Sequence, residues 1–285
     1  MKILDFRYRP PYKSFLDTIM YRELDRAAAC SARFGSYQPE AVAARDFKQS
    51  LKELEEAGIG RAVIAGRKVL PFIGVVDNQD IVELERMYPE RFLGLAGIDP
   101  SDMGQAMEEY DRYITEERLH GIVLEPGLLE RPMFVDDDRL FPLYERCEKE
   151  RIPVMMMVGS NCGPDIEYSH PVHPEHVAKA FPGLKMVMAH GGWPWVTQMI
   201  QVAYRYKNLY LLPDLYLFRT PGANEYLEAA NYILQDQMLF GSAYPYMPLK
   251  EAVGYFMDGR LRQEVLEKFM YKNAMNVFED QSILT

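Results

Sequence analysis

The chain has 285 residues, of which 48% are hydrophobic and 26% are charged, a composition typical of a folded globular protein. Acidic residues outnumber basic ones by 42 to 32, and the resulting net charge of −10 argues against a nucleic-acid partner, because phosphate binding needs clustered lysines and arginines. No apolar run has the length of a signal peptide or membrane span, and the three cysteines form no CxxC pair, which together predict a cytoplasmic, non-membrane protein with reduced thiols.

Short apolar runs alternate with longer amphipathic segments, a pattern that predicts βα units and a parallel sheet. Eight runs have the composition of strands: residues 2–7, 62–65, 92–98, 121–125, 154–158, 185–189, 209–213 and 238–241. Eight parallel strands are the number that a closed barrel needs. Since no linker or repeat interrupts the pattern, we predict an α/β fold, a single-domain, distorted (β/α)₈ TIM barrel over residues 1–285.

The amphipathic segments predict helices at residues 46–57, 78–87, 103–117, 139–149, 174–180, 196–206, 223–234 and 261–278. The connection at residues 10–44 is long for a barrel and rich in tyrosine and arginine. Connections at the carboxyl ends of barrel strands are where such folds build active sites. A lid, a dimer arm and a plain surface insertion are all left open for this segment.

Arginines end the first predicted strand, on the rim where barrel enzymes place their reacting groups. Side-chain alternation along a strand predicts that Asp5, Arg7 and Arg9 point the same way. Buried guanidinium groups are costly to desolvate and their fork geometry suits a carboxylate, so Arg7 and Arg9 are predicted to bind an anionic substrate. The alternative is a structural network in which both arginines pair with Asp5 and Glu125.

Groups that can transfer protons end three further strands. Glu125 ends the fourth strand, His190 follows the sixth within His-Gly-Gly-Trp-Pro-Trp, and Asp214 follows the seventh. Their convergence on one rim predicts three catalytic residues, with the proton moved by His190 or by a carboxylate whose pKa burial raises. Tyr216, two residues beyond Asp214, is predicted to contact the substrate.

The loop after the fifth predicted strand, residues 159–171, is rich in hydrogen-bonding side chains. Asn161 and Tyr168 are predicted from it as further substrate-binding residues, although surface loops have the same composition. His173 and His176 open the next predicted helix, where a histidine that faces solvent is common.

Several blocks resemble the amidohydrolase superfamily, and within it the amidohydrolase-related TIM-barrel family that includes aminocarboxymuconate-semialdehyde decarboxylase. These blocks are Ile-Leu-Asp at 3–5, the run 152–159, Met-Ala-His-Gly-Gly-Trp-Pro-Trp at 188–195, Leu-Phe-Gly-Ser-Ala-Tyr-Pro at 239–245 and Lys-Asn-Ala-Met-Asn-Val-Phe at 272–278. The resemblance spans nearly the whole chain. It implies a TIM barrel that forms homodimers.

In that family a divalent metal is held by His-x-His on the first strand, a His ending the fifth, a His on the sixth and an Asp on the eighth. The matching positions are Arg7 and Arg9, Met157, His190 and Ala243. Guanidinium groups are not metal ligands and their charge repels a cation, so the comparison predicts no metal and no other cofactor. A replacement site for zinc or another divalent metal at Glu125, His190 and Asp214 is the alternative.

The leading hypothesis is a divergent member of the family, a metal-independent hydrolase or lyase that acts on a small carboxylate. Arg7 and Arg9 would take over the electrostatic task of the metal. Lactone or amide hydrolysis, hydration and decarboxylation are left open. The alternative from another class is a catalytically silent barrel that binds an anionic metabolite, because the same substitutions are what a loss of chemistry would leave.

Overall fold

The computed structural model describes residues 1–278. Within them, seven parallel strands form one sheet in sequential order: β1 Leu4–Asp5, β2 Arg61–Ala65, β3 Phe92–Gly97, β4 Ile122–Leu124, β5 Val154–Met157, β6 Met186–Ala189 and β7 Leu209–Leu212. Every neighbouring pair in this order is parallel. The curled parallel sheet with helices in its connections is that of a TIM barrel, as predicted.

An irregular segment fills the position of the eighth strand. A single parallel bridge joins this segment to β7, and the backbone N–H of Phe6 donates to the carbonyl of Phe240 over 2.9 Å, so the segment lies between β7 and β1. The regular strand predicted at 238–241 is wrong in extent. The ladder ends here because the backbone N–H of Ser242 bonds with the carboxylate of Asp5 at 2.9 Å instead of with a neighbouring strand.

The helices occupy the connections between the strands. In chain order they are α1 Ile19–Arg22, α2 Leu24–Arg33, α3 Glu40–Ala44, α4 Phe47–Glu56, α5 Asn78–Met87, α6 Met103–Tyr110, α7 Phe141–Glu150, α8 Val172–Ala180, α9 Val196–Arg205, α10 Ala223–Asn231, α11 Leu249–Met257, α12 Gln263–Glu267 and α13 Asn273–Phe278. Asp111–Glu116 continues α6 as a π-helix, and Lys268–Lys272 joins α12 to α13 in the same way. No helix in this described part of the chain has the length and apolar composition needed to cross a membrane.

Local sequence signals account for several helix starts. Asp46, Asp77 and Asp102 precede α4, α5 and α6, and each side chain accepts a hydrogen bond from a backbone N–H of the first turn. Such a cap contributes about 1 kcal/mol. Helix α11 was not predicted; it follows Pro248 and has no side-chain cap. The insertion at 10–44 is folded rather than extended, since it contains a 3₁₀ helix at Lys13–Asp17 and helices α1 to α3.

Two apolar layers share each strand. In β5, Met155 and Met157 belong to the cluster inside the barrel, whereas Val154 and Met156 belong to the cluster between the sheet and the helices. Both faces are therefore buried, which explains why this run is apolar at every position. Polar groups are left to the carboxyl ends of the strands and the loops that follow them.

Candidate active site

Arg7 lies just beyond β1 among the carboxyl ends of the strands, and only 5% of it is exposed. Its Nη1 donates to Sδ of Met157 at 3.1 Å, and its Nη2 lies 3.2 Å from Nε2 of His190. Its Nε lies 3.7 Å from a carboxylate oxygen of Asp214. These three partners follow or end β5, β6 and β7, so a single guanidinium joins the rims of three strands.

His190 and Asp214 form a dyad in which Asp214 is buried and His190 is half-buried. Nδ1 of His190 lies 3.1 and 3.0 Å from the two carboxylate oxygens. An ionised carboxylate only accepts hydrogen bonds, so Nδ1 carries the proton and Nε2 accepts from Arg7. Both residues have a left-handed backbone, with φ of 64° and 44°. Non-glycine residues rarely adopt this conformation, and such residues cluster at functional sites.

Within the dyad, the imidazole of His190 is neutral and the carboxylate of Asp214 is ionised. Burial lowers the pKa of His190, Asp214 opposes this effect, and Arg7 adds to it, so the pKa lies below the usual 6.5. Burial alone would raise the pKa of Asp214, but His190 and Arg7 together lower it below the usual 3.8. At neutral pH, Nε2 is therefore an unprotonated nitrogen next to an ionised carboxylate.

Arg9 is a buried cation that forms no ion pair in the described part of the chain. It is 7% exposed, and among the residues that the structure describes its guanidinium has no hydrogen bond and no ion pair. Burial lowers the pKa of Arg9 to about 9, and the charges of Arg7 and Arg67 add to this effect. An anion beside Arg9 would compensate the charge that the protein leaves unpaired.

Glu125 is held by Arg67, which follows β2. The Nε and Nη2 of Arg67 donate to the two carboxylate oxygens at 3.0 and 2.9 Å, and both residues are buried. Burial alone would raise the pKa of Glu125, but Arg67, with Arg9 and Arg7, lowers it below the usual 4.5. The expectation that burial turns Glu125 or Asp214 into a high-pKa acid is therefore wrong, because nearby cations outweigh desolvation.

Asp5 does not pair with an arginine side chain. Its carboxylate accepts from the backbone N–H and the hydroxyl of Ser242, at 2.9 and 2.5 Å, and from the backbone N–H of Arg7 at 2.9 Å. Burial raises the pKa of Asp5. The strand alternation predicted through Arg9 fails because β1 ends at Asp5. The predicted network of Arg7 and Arg9 with Asp5 and Glu125 is therefore not formed. Asp5 binds Ser242, Glu125 binds Arg67, and Arg7 contacts Asp214.

Tyr216 lies beside the dyad. Its ring is perpendicular to the imidazole of His190, with centroids 5.7 Å apart, and stacks on Trp193 at 4.8 Å. Its hydroxyl donates to the hydroxyl of Ser160 in the loop after β5. Phe34, at the end of α2, packs edge-on against the same ring at 6.0 Å. The insertion therefore supplies part of the wall around the dyad.

The other predicted loop residues have different surroundings. Asn161 is exposed, and its side chain has no hydrogen bond within residues 1–278. Tyr168 is half-buried and stacks on Phe134, with centroids 4.5 Å apart. No hydrogen bond or ring contact in that range joins either residue to the dyad. His173 and His176 both bind Asp136, at 2.8 and 2.7 Å, so His173 does not simply face solvent.

Three residues of the site, Arg67, Ser242 and Phe34, were not predicted from the sequence. Arg67 lies two residues beyond β2, so the rule that singled out the other strand ends could have found it. Ser242 lies inside a quoted block, but only its contact with Asp5 reveals its role. No sequence signal points to Phe34, which lies 182 residues from Tyr216 in the chain.

Residues 31–279 match the family model described as amidohydrolase. The chain belongs to this amidohydrolase family. The crystal structure of an uncharacterized TIM-barrel protein from Bordetella bronchiseptica is 38% identical with a TM-score of 0.94, and the match covers 98% of this chain and 99% of that one. These matches confirm the resemblance.

More distant structures share the fold. A 2,6-dihydroxybenzoate decarboxylase from Rhizobium is 16% identical with a TM-score of 0.70, over 99% of this chain and 100% of that one. The 4-oxalomesaconate hydratase from Rhodopseudomonas palustris is 17% identical with a TM-score of 0.65, over 97% and 95% of the two chains. No curated protein matches the sequence significantly.

The residues of this amidohydrolase-family barrel do not fit a divalent metal. Arg7 lies between Met157, His190 and Asp214, and its Nη2 faces the His190 nitrogen that would be free to bind an ion. Glu125, the third member of the replacement site, is engaged by Arg67. Across residues 1–278, no group of three His, Cys, Asp or Glu side chains could hold a metal ion.

Proposed function

We propose that this amidohydrolase-family protein is a lyase that binds a small carboxylate on Arg9 and moves a proton through His190 without a divalent metal. The observation that carries the proposal is the unpartnered, buried guanidinium of Arg9 in the same site as the His190–Asp214 dyad. The structural neighbours named as a decarboxylase and a hydratase support lyase chemistry on a carboxylate.

Substrate binding follows from the pairing of the charges. Arg67 pairs with Glu125 and Arg7 pairs with Asp214, whereas Arg9 forms no ion pair within the described residues and is only partly balanced by the more distant charge of Glu125. A substrate carboxylate supplies that charge, and a guanidinium can hold it by two parallel hydrogen bonds. Glu125 then acts as a positioning residue, because it fixes Arg67 beside the bound anion.

Proton transfer is assigned to Nε2 of His190. Arg7 donates to this nitrogen in the free protein, and we expect its Nη2 to turn to the oxyanion that develops on the substrate. Nε2 is then free to accept a proton from water, and Asp214 stabilises the imidazolium through Nδ1. In decarboxylation the imidazolium passes this proton to the carbon that loses CO₂, and the hydroxide left from water combines with CO₂ as bicarbonate. In hydration the oxygen of the same water bonds to one carbon of a double bond, and the imidazolium passes the proton to the neighbouring carbon. One proton carrier serves either reaction.

One observation favours a second candidate, the silent barrel that only binds an anionic metabolite. The contact of Arg7 with Nε2 of His190 occupies the nitrogen that catalysis needs. A protein that keeps this contact with ligand bound would hold a carboxylate on Arg9 without reacting.

A screen with matched histidine variants tests the proposal. The purified protein is assayed with 2,6-dihydroxybenzoate, 5-carboxyvanillate and unsaturated dicarboxylates, and for contrast with lactones and amides. We expect turnover of a carboxylate, a loss of roughly 10²–10⁴-fold in His190→Ala, and little change in His176→Ala, whose histidine binds Asp136 at the surface. Tight binding without turnover by any of the three proteins would support the silent barrel. Turnover of lactones alone would contradict a lyase.

A further inference from the structure

Most charged groups of the site have little exposed surface, although the side chain of His190 is 19% exposed. Arg7, Arg9, Glu125 and Asp214 are exposed by 5%, 7%, 4% and 0%. Only 7% of Arg9 is open to a carboxylate, so movement of an element that covers the site would widen access, as lids do in many enzymes. Such an element must cover the site and be attached weakly to the barrel.

We propose that α2 and the three residues that follow it, 34–36, form a lid that opens to admit the substrate. The purpose of this lid rests on the proposed function, since the molecule to be admitted is the small carboxylate. Its position and its attachment to the barrel are independent of the reaction.

The end of the lid lies beside the dyad. On one side, the ring of Phe34 packs against Tyr216, which packs against His190. On the other side is Tyr246, whose pKa is raised by burial, with a further contribution from the Cys30 thiol of α2, while Arg9 opposes the shift. Cys30 likewise adds to the increase that burial causes in the pKa of Tyr216. The contact of Phe34 with Tyr216 thus places the carboxyl end of α2 beside the dyad.

Few contacts hold α2 on the barrel. Of its ten residues, only Ala27 and Ser31 are buried, and the others are exposed or half-buried. Ala27 and Ser31 are small, and Leu24 and Phe34 pack on the core only in part, so lifting the helix exposes a limited apolar area to water. Segments with such sparse packing open more readily than the rest of a protein.

A polar latch closes the end of the lid. Nη1 of Arg219, which follows β7, donates to the carbonyls of Phe34 and Gly35 at 3.0 Å each. Glu251 of α11 lies 3.4 Å from Arg219 and accepts from the hydroxyl of Ser36 at 2.7 Å. Arg219 is exposed by 48%, and exposed ion pairs are weak, so this latch fixes the closed position without locking it.

Labelling of the native cysteines can report opening of the lid. Cys162 is 7% exposed and belongs to the same buried cluster as Met157, which contacts Arg7. Burial raises the pKa of its thiol to about 12. Cys147 is fully buried elsewhere in the core. In a Cys30→Ser background, the rate at which iodoacetamide modifies Cys162 reports opening of the site, and modification of Cys147 reports global unfolding.

We expect Arg219→Ala and Glu251→Gln to increase the labelling rate of Cys162 by roughly fivefold, which corresponds to about 1 kcal/mol in the opening equilibrium. Labelling of Cys147 and the melting temperature should not change. Arg86→Ala is the matched control, because it removes an exposed ion pair with Glu117 that is not part of the latch. Hydrogen exchange should accelerate in α2 in the latch variants alone.

Equal labelling of Cys162 in the latch variants and the control would overturn the lid. So would faster labelling without faster exchange in α2, because the loop that contains Cys162 would then be the element that moves. Neither measurement uses a substrate, so failure of the lid leaves the proposed chemistry to be judged by the screen with His190→Ala. Failure of that screen, in turn, does not affect the labelling result.

Discussion

Replacing Arg9 by methionine separates ligand binding from stability. Within residues 1–278 the guanidinium of Arg9 has no hydrogen bond or ion pair to lose. Burial and the neighbouring arginines lower the pKa of Arg9 to about 9, which means that the charged form is costly to keep inside the protein. We therefore expect Arg9→Met to increase the free energy of unfolding, unlike most substitutions of a buried charge.

The expected sizes follow from these contacts. Methionine fills only part of the space, so we expect a gain of about 1–2 kcal/mol in stability, or roughly 2–4 °C in melting temperature for a chain of this length. Carboxylate binding should weaken by about 1.5–3 kcal/mol, which is roughly 10- to 150-fold in Kd. Arg9→Lys keeps the charge but loses the planar fork, so its affinity should lie between those of Arg9→Met and wild type.

Arg67→Met is the matched control. Arg67 is as buried as Arg9 but holds Glu125 through two donor atoms. Its removal leaves Glu125 as a buried charge without a partner, which should destabilise the fold by about 3–5 kcal/mol. Removing one arginine should thus raise the melting temperature, and removing the other should lower it.

The assay pairs thermal denaturation with isothermal titration of the carboxylate from the screen that binds wild type most tightly. A clear result against the anion site would be an Arg9→Met protein that melts several degrees early and binds this carboxylate with unchanged affinity. Arg9 would then have a structural role that the contacts do not reveal. Loss of both stability and binding in Arg9→Met would equally contradict a role for Arg9 in binding alone.

Two further predictions concern metal and pH. Protein purified without added metal should contain less than one zinc, manganese or iron per chain by elemental analysis, and chelators should not reduce its activity. The reason is that Arg7, Arg9, Met157 and Ala243 stand where the family resemblance would place metal ligands. One tightly held ion per chain, lost in Asp214→Asn, would favour the replacement site. The lowered pKa of His190 means that the unfolded chain takes up a proton below pH 6.5 before the folded chain does, so this contribution to stability is present above pH 6.5 and is lost as the pH falls. The melting temperature of wild type should therefore decrease below pH 6.5 by more than that of His190→Gln. If the melting temperatures of the two proteins depend on pH in the same way, the pKa of His190 is not lowered by folding.

Local patterns predicted most of the barrel. The apolar runs of β2 to β7 are bounded by turns, and aspartates cap α4, α5 and α6, so these elements depend mainly on neighbouring residues. Where an element depends on distant contacts, the prediction failed. The eighth strand is irregular because Ser242 bonds with Asp5, 237 residues away in the sequence.

The sequence alone determined which charged residues reach the rim of the barrel, because Arg7, Arg9, Glu125, His190 and Asp214 all stand at or just beyond strand ends. The tertiary structure decided which of them are paired. In the folded protein Glu125 binds Arg67, and Asp214 contacts both His190 and Arg7. Arg9 forms no ion pair in the described chain. The physical reason is that a buried charge is balanced by whichever opposite charge the packing of distant strands brings within hydrogen-bond distance, and spacing along the chain does not specify that neighbour.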